Sequence, residues 1–402
     1  MNSFKFHPVG QGLFYTGSLA HKTFNFVYDC GTESKQHYLL SSIESYIKEI
    51  QGDALNKPQI DFVVVSHLHK DHYSGLLDLA RKTNIRQVYL PYLGNDKNFI
   101  SLVLAYTIWG YERPTINDDN LYSLFYFMCG LYGVEENYDF PQIEAIFLEG
   151  EDGDPSEYGF VSSKHEEYAY IGSRKYWKFV FINRSVGKGK LKLLVNKMYE
   201  ILDVCGVKSV VELIATRNGL KKIAEIYNEV FSCETRRDPN FLNMTSIVLI
   251  HYPLYNSPNA FYADSNEIME LSSRRIESRY FSHWYHCEYT CFDFNRIRTP
   301  STILSGDVMI DNVMAKIILS QLKLINDKEK SLCGVLQVPH HGSKANWLAW
   351  KGTAIDSQIY VIPFGLGNRH RHPDTDTIDD LVLLQQHIQL VNQIQNFEYY
   401  ID

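Results

Sequence analysis

The feature that most constrains the fold is an apolar segment that runs directly into a cluster of histidines and one aspartate. Apart from Asp61, residues 60–65 are apolar and mostly β-branched, which is typical of a buried strand, and residues 74–84 have the spacing of an amphipathic helix. The loop between them carries four potential metal ligands, which are His67, His69, Asp71 and His72. Such a cluster has no evident packing use, so the segment predicts a metal site in a strand-to-helix loop.

The spacing of these four side chains suits two cations. In extended backbone His67 and His69 project to the same side, whereas Asp71 and His72 lie where the chain turns into the helix. Imidazole and carboxylate ligands favour zinc, with manganese or iron as alternatives. Two such ions about 3.5–4 Å apart can activate water for attack on a phosphoryl or carbonyl centre. The residues therefore predict two divalent ions and a metal-dependent hydrolase.

The sequence His67-Leu-His69-Lys-Asp71-His72 resembles the signature of the metallo-β-lactamase fold superfamily. The resemblance implies a four-layer αββα sandwich, an α/β fold with two sheets face to face and helices outside. Upstream, Val9-Gly-Gln-Gly12 and Asp29-Cys-Gly31 resemble the hydrolase domain of bacterial DNA-uptake (competence) channels and its stand-alone relatives. That narrower resemblance implies that Asp29 orients a metal-binding histidine without itself binding the metal.

Further candidate ligands follow two later strands. Asp307 ends a segment that reads as a strand and a turn, and the resemblance makes it the carboxylate shared by both ions. The pair His340 and His341 follows an apolar segment at 334–338. The residues leave open which of the two binds the second ion. We predict that His340 is the ligand. His341 and Asp71 are predicted to be catalytic, and His341 would act either by orienting a metal ligand or on the leaving group.

Two other segments are expected to line the site. Asn243 stands where much of the superfamily has a third histidine, and the DNA-uptake relatives share this Asn and a following Ser, here Ser246. The first ion would then be held by fewer imidazoles. Near the end of the chain, Asn368 and His372-Pro373 match a Gly/Asn turn of the same relatives. We predict His372 as a proton donor and Arg369 as a phosphate-binding side chain.

The resemblance divides the chain into a core at 1–93 and 241–402, a large insertion at 94–240 and a smaller insertion at about 256–298. The large insertion is expected to be mainly helical, with an irregular middle at 149–176. Its helical segments at 188–205 and 207–231 carry recurrent lysines and arginines. These are interpreted as a solvated helix face, and a basic cap over the metal cleft is the alternative.

Composition limits the compartment and the partners. A net charge of −8 and a pI near 6.0 argue against coating of nucleic acid or membrane by bulk charge, so any polyanion site must be local. Seven scattered cysteines, with no leader or membrane span, favour a reducing cytoplasm over a disulfide framework. A small structural metal site at His283, His286, Cys287 and Cys291 is a weaker interpretation than ordinary buried thiols. A protein partner and the oligomeric state stay open.

The first functional hypothesis is a nuclease or other phosphodiesterase, in bacterial defence or DNA processing. Only the resemblance narrows hydrolysis to phosphate esters. A small-molecule hydrolase acting on a lactone, amide or phosphocholine-like ester is the second hypothesis. The third is a metal-binding scaffold subunit of a larger complex.

Overall fold

A computed structural model describes most of the chain. The residues described are 1–52, 56–109, 119–134, 142–148, 161–184, 188–231, 243, 245–254, 260–262, 296–297, 299–325, 332–351, 355–384 and 386–401. The predicted cysteine–histidine metal site at 283–291 and most of the smaller insertion lie outside these residues.

Sixteen strands are formed by the described residues. They are β1 (Asn2–Phe6), β2 (Phe14–Leu19), β3 (Phe24–Cys30), β4 (Gln59–Val64), β5 (Asn84–Pro91), β6 (Glu144–Leu148), β7 (Val161–Ile171), β8 (Arg174–Arg184), β9 (Val248–Pro253), β10 (Ala260–Tyr262), β11 (Arg296–Ile297), β12 (Thr302–Leu304), β13 (Leu332–Gln337), β14 (Asp356–Pro363), β15 (His387–Val391) and β16 (Phe397–Ile401).

The helices in the same part of the chain alternate with these strands. They are α1 (Gln36–Gln51), α2 (Lys70–Tyr73), α3 (Leu76–Lys82), α4 (Lys97–Trp109), α5 (Asp119–Leu131), α6 (Lys188–Cys205), α7 (Val210–Ile214), α8 (Gly219–Phe231), α9 (Asn312–Ile325), α10 (Lys344–Lys351) and α11 (Thr375–Leu383). A 3₁₀ turn spans Pro339–Gly342.

The strands form two mixed sheets. The first has the order β11-β10-β16-β1-β2-β3-β4-β5-β6, and the second has the order β15-β14-β13-β12-β9-β8-β7. In the first sheet β3 to β6 run parallel to one another, and in the second β12 to β15 do the same. Parallel strands place their carboxyl ends at one edge, which is where ligands gather in α/β proteins.

The two sheets pack through an aromatic layer. Phe26 and Phe62 of the first sheet meet Phe179 of the second, with ring centroids 4.9 Å apart in both pairs. All three rings are fully buried. Because side chains alternate across a strand, the neighbours of these residues point to the outer faces, where Val27 and Val63 belong to a separate apolar cluster.

Helices cover both outer faces. On the first sheet, α1 and α3 to α8 bury their apolar sides in one continuous cluster with β3, β4 and β5. On the second sheet, α9, α10 and α11 pack against β8, β9 and β12 to β14. The arrangement is the four-layer αββα sandwich of the metallo-β-lactamase fold, which confirms the predicted fold class.

The segment at 94–240 contains more sheet than expected. Strand β6 extends the first sheet beside β5, and β7 and β8 extend the second sheet beside β9. The prediction of irregular structure over 149–176 was therefore wrong from Val161 onward; residues 149–160 lie outside the described part. The half-buried positions of β7 include Ser163, His165 and Glu167, so the strand lacks the alternation of apolar and polar residues that normally marks a half-buried strand in a sequence.

The predicted helices of this segment are confirmed, with α6 at Lys188–Cys205 and the 207–231 region divided into α7 and α8. Some of its basic side chains pair within their own layer: Lys197 contacts Glu229, and Lys221 contacts Glu225 four residues on. These pairs suit a solvated face, and the basic cap stays a prediction. No helix among the described residues is long and apolar enough to cross a membrane.

Candidate metal centre

The loop that carries His67, His69, Asp71 and His72, called the histidine loop below, begins where β4 ends. It packs against the loop that follows β3. A Cβ on Gly31 would lie 2.5 Å from the carbonyl carbon of Asp71 and 2.6 Å from the amide nitrogen of Tyr73. The amide of Leu13 donates to the carbonyl oxygen of Asp71 at 2.9 Å, and Leu68 is fully buried. Only glycine permits this approach, so the backbone that carries the candidate ligands is fixed on both sides.

Among the described residues, two groups of side chains could each hold a metal ion. The first group is His67, His69 and Asp307, and the second group is Asp71, His72, Asp307 and His341. Within each group the potential ligand atoms lie within 4.8 Å of one another, and every member is buried.

Asp307 belongs to both groups and faces them with different oxygens. Its Oδ1 lies 3.3 Å from His72 Nε2 and 3.8 Å from His341 Nε2, whereas its Oδ2 lies 3.6 Å from His67 Nε2. Donor atoms at about 2.0–2.1 Å from one tetrahedral ion are about 3.3 Å apart, so these separations suit shared ions. The role of Asp307 as a bridging ligand stays a prediction that this placement favours.

The loop that carries Asp307 is held from the neighbouring strand. The side chain of Gln337, at the end of β13, accepts hydrogen bonds from the amides of Ser305 and Gly306 at 2.9 and 3.0 Å. Gly306 has a φ of 55°, and a Cβ there would lie 2.9 Å from Ser66 Oγ. Gln337 did not stand out in the sequence, because a glutamine next to a ligand pair carries no chemical signature.

Two buried atoms of the centre, His72 Nε2 and Asp307 Oδ1, lie 3.3 Å apart but make no hydrogen bond of acceptable geometry in the described structure. Buried polar atoms are rarely left unpaired, because the loss of hydration costs about 1–3 kcal/mol. A cation between these atoms would satisfy both, so the residues present fit a divalent metal ion.

The rings of His67, His72 and His341 are each turned by a second contact so that Nε2 faces the centre, whereas His69 faces His67 Nε2 with its Nδ1 at 3.1 Å. His341 Nδ1 donates to the carbonyl oxygen of Pro363 at 2.8 Å, and His72 Nδ1 donates to Asp29 Oδ2 at 2.7 Å. His67 Nδ1 lies 3.0 Å from Ser66 Oγ, which itself donates to Asp29 at 2.7 Å. Since Nδ1 carries the hydrogen in these contacts, the neutral ring offers its Nε2 lone pair to a metal.

Charged neighbours in the centre shift the pKa values of several groups in the direction opposite to the effect of burial. Burial alone would lower the pKa of His72 and His341, but Asp307 and Asp71 raise both above the usual value. Burial alone would raise the pKa of Asp71, but His72 and His341 lower it. In contrast, burial lowers the pKa of His69 to about 4. Without a metal the carboxylates are thus ionised and two imidazoles hold protons that a cation must displace.

Asp29 lies beside His72, and its role in orienting a metal ligand stays a prediction. It is fully buried at a φ of 57°, and its carboxylate accepts the amide of Ser66 at 2.6 Å as well as the contacts from Ser66 Oγ and His72. Burial raises the pKa of Asp29, whereas the neighbouring His72 opposes that increase. Ser66, which the sequence analysis did not select, is the residue that links Asp29 to both His67 and His72.

The structure separates His340 from His341 in a way that the sequence could not. His341 is buried and lies 3.0 Å from Asp71 through its Nε2, so it is the member of the pair in the second group. The His340 side chain is 31% exposed and approaches Asp307 Oδ2 at 3.6 Å. This placement disfavours His340 as the second-group ligand that we predicted and favours His341 instead.

Asn243 and Ser246 precede β9, which starts at Val248. Asn243 Oδ1 and Ser246 Oγ are buried without a hydrogen-bond partner in the described structure. The amide of Ile247 donates to the carbonyl oxygen of Ser66 at 2.9 Å, so this segment lies beside the histidine loop. Neither side chain belongs to the two groups.

The last loop lies at the mouth of the centre. Asn368 Nδ2 donates to the carbonyl oxygens of Gly365 and His372 at 2.8 and 2.6 Å, so Asn368 shapes the loop. The His372 ring lies 5.4 Å from that of His340, and burial, with His340 and His341, lowers the pKa of His372 to about 4. The exposed guanidinium of Arg369 pairs with Glu33 at 3.0 Å. The predicted roles of these three residues in substrate binding stay untested.

A family model that describes the metallo-beta-lactamase superfamily matches residues 16–137 of the sequence. This range includes β3, β4 and the histidine loop but ends before Asp307 and His341. A search of curated proteins finds no match to the chain. The matched domain, the sandwich and the buried groups together support a metal-dependent hydrolase.

Proposed function

We propose that this protein is a phosphodiesterase or nuclease that works with two divalent cations, of which zinc suits the ligands best. The observation that carries the proposal is a rim of hydrogen-bond donors beside the centre, made of one guanidinium and two imidazoles from Arg369, His370 and His372. Arg369, His370 and His372 follow one another along a loop that reaches His340 through ring contacts of 6.0 and 5.4 Å. Phosphodiesters are anionic, and a rim of guanidinium and imidazole groups suits them better than it suits neutral lactones or amides.

The second group would hold one cation through Asp71, His72, His341 and one oxygen of Asp307. The first group would hold the other through His67, His69 and the second oxygen of Asp307. When bound, such cations activate water and neutralise charge that develops on a phosphoryl group. Asp29, Ser66 and Pro363 keep the imidazoles aimed at the ions.

The rim would bind and orient the substrate. Arg369 is 60% exposed on its side chain, and Glu33, which is 19% exposed, holds it at the mouth of the centre. Glu33 Oε2 also lies 3.5 Å from His370 Nε2, so one carboxylate positions both the guanidinium of Arg369 and the imidazole of His370. His372, whose ring lies 5.4 Å from that of His340, would donate a hydrogen bond from its neutral ring to a leaving oxygen.

Activity of the purified protein, loaded with zinc or manganese, tests this proposal. The substrates are bis(p-nitrophenyl) phosphate, single- and double-stranded DNA, RNA, an acyl-homoserine lactone and a chromogenic β-lactam. We expect turnover of the phosphodiesters and loss of that turnover in His67→Ala. Arg369→Ala should raise KM for nucleic acid more than for the small diester, because the rim contacts the larger substrate beyond the scissile group.

Two outcomes would contradict the proposal. Turnover of the lactone or β-lactam without any phosphodiester turnover would indicate a small-molecule hydrolase. Stoichiometric metal binding without turnover of any of these substrates would favour the scaffold hypothesis.

A further inference from the structure

His340 approaches the same carboxylate oxygen as His67, although its ligand atoms lie outside the first group of mutually close atoms. Its Nε2 lies 3.6 Å from Asp307 Oδ2, which is also the distance from His67 Nε2 to that oxygen. His341, the next residue, contacts Asp71 and lies on the Oδ1 side of Asp307. The two neighbouring histidines therefore serve opposite sides of the shared carboxylate.

The ring of His340 is held through its Nδ1, as are the rings of His72 and His341. Asn346, which is buried at the start of α10, donates both hydrogens of its Nδ2 to the carbonyl oxygens of Asp307 and Val308, each at 3.1 Å. Its Oδ1 must therefore face His340 Nδ1, 3.1 Å away, and accept a hydrogen bond from it. The neutral ring then presents the Nε2 lone pair toward Asp307 Oδ2.

The backbone is strained where the two rings diverge. His340 and His341 have φ values of 50° and 54°, a left-handed conformation that residues other than glycine rarely adopt. The amide of His340 donates to the carbonyl oxygen of Gly306 at 3.1 Å, which ties this strained turn to the loop of Asp307. Strain of this kind persists where surrounding contacts impose it, and it commonly accompanies functional sites.

We propose that His340 supplies a third imidazole to the cation of the first group, which would otherwise have only His67, His69 and one oxygen of Asp307. The inference rests on the two-cation centre of the proposed function and assigns it a further ligand. With His340 the first cation would have four protein donors, the same number that the second group offers, and the activated water would add to this set. Because the His340 side chain is partly exposed, this ligand lies on the solvent side of the centre, where substrate would enter.

Metal binding by the purified full chain tests the assignment without reference to activity. The number of zinc ions per chain and their affinities are measured by competition with a chromophoric chelator, and the absorption spectrum of the cobalt-loaded protein reports coordination. The variants are His340→Ala and the matched control His370→Ala, another rim histidine. His341→Ala serves as the contrast at the second group, and thermal unfolding checks that each variant is folded.

We expect wild type and His370→Ala to bind two ions. His340→Ala should keep one ion and bind the other about tenfold more weakly or worse, with a changed cobalt spectrum. His341→Ala should weaken the other ion and change a different part of that spectrum.

Unchanged affinities and spectrum in His340→Ala would overturn the inference while leaving the two-cation centre intact. Loss of both ions from a folded His340→Ala would also overturn it, because His340 faces only one side of Asp307. Fewer than two ions in the wild type would overturn the two-cation proposal itself.

Discussion

The substitution Asp29→Asn isolates the contact that orients His72. Asparagine has nearly the same volume as aspartate and tolerates a φ of 57°, so neither a cavity nor backbone strain complicates the result. The carboxylate of Asp29 accepts three hydrogen bonds, from Ser66 N, Ser66 Oγ and His72 Nδ1, at 2.6–2.7 Å. An amide has one acceptor oxygen and a donor nitrogen, so it cannot satisfy all three.

The amide leaves two arrangements, and both are unfavourable. If its oxygen faces Ser66 N, its nitrogen meets His72 Nδ1, and the imidazole must move its hydrogen to Nε2, where the metal should bind. If its oxygen faces His72, the buried amide of Ser66 loses its acceptor. Loss of such an orienting partner weakens metal binding about 10–100-fold, or about 1.4–2.7 kcal/mol. A lost hydrogen bond to a charged acceptor should also lower the free energy of unfolding by about 1.5–3 kcal/mol.

Chelator competition and urea unfolding measure the two effects separately. Asp61→Asn is the matched control, because Asp61 is a buried carboxylate near the start of β4 that accepts the amide of Asn25 at 2.8 Å. It should lose stability without losing metal affinity. If Asp29→Asn and Asp61→Asn bind zinc equally well, Asp29 does not orient a metal ligand.

Four other predictions concern the centre. His67→Ala should abolish hydrolysis while the melting temperature changes little, since a ligand and not core volume is removed; retained activity with unchanged metal content would refute this. Asp307→Ala should lower bound zinc more than Asn243→Ala, as measured by plasma emission, because only Asp307 faces both groups. Zinc binding should release protons and strengthen as pH rises, because the raised pKa values of two second-group imidazoles mean that the metal competes with protons; calorimetry in buffers of different ionisation enthalpy counts them. Gly31→Ala should destabilise the fold by about 1–3 kcal/mol in urea unfolding, because its methyl group would overlap the backbone at Asp71.

Much of the fold could be predicted from the sequence, because the apolar patterns that mark individual helices and strands lie within short segments. The apolar segment before His67 and the helical spacing at 188–205 each predict one element, and both elements form where they were expected. Strand β7 escaped detection because polar residues occupy several of its half-buried positions, which removes the alternation that identifies a strand. A partly exposed strand becomes recognisable only when its neighbour β8 is in place.

The candidate site, too, could be predicted only in part from the sequence. The sequence by itself determined that His67, His69, Asp71 and His72 lie on one loop after a buried strand, since residues so close in the chain cannot separate. It could not choose between His340 and His341, because adjacent residues share a sequence context and differ only in the direction of their side chains. Two consecutive left-handed residues, held by Gly306 and Asn346, set those directions. Contacts between loops that are remote in the chain, and not the loop sequence, therefore decided which histidine faces which side of Asp307.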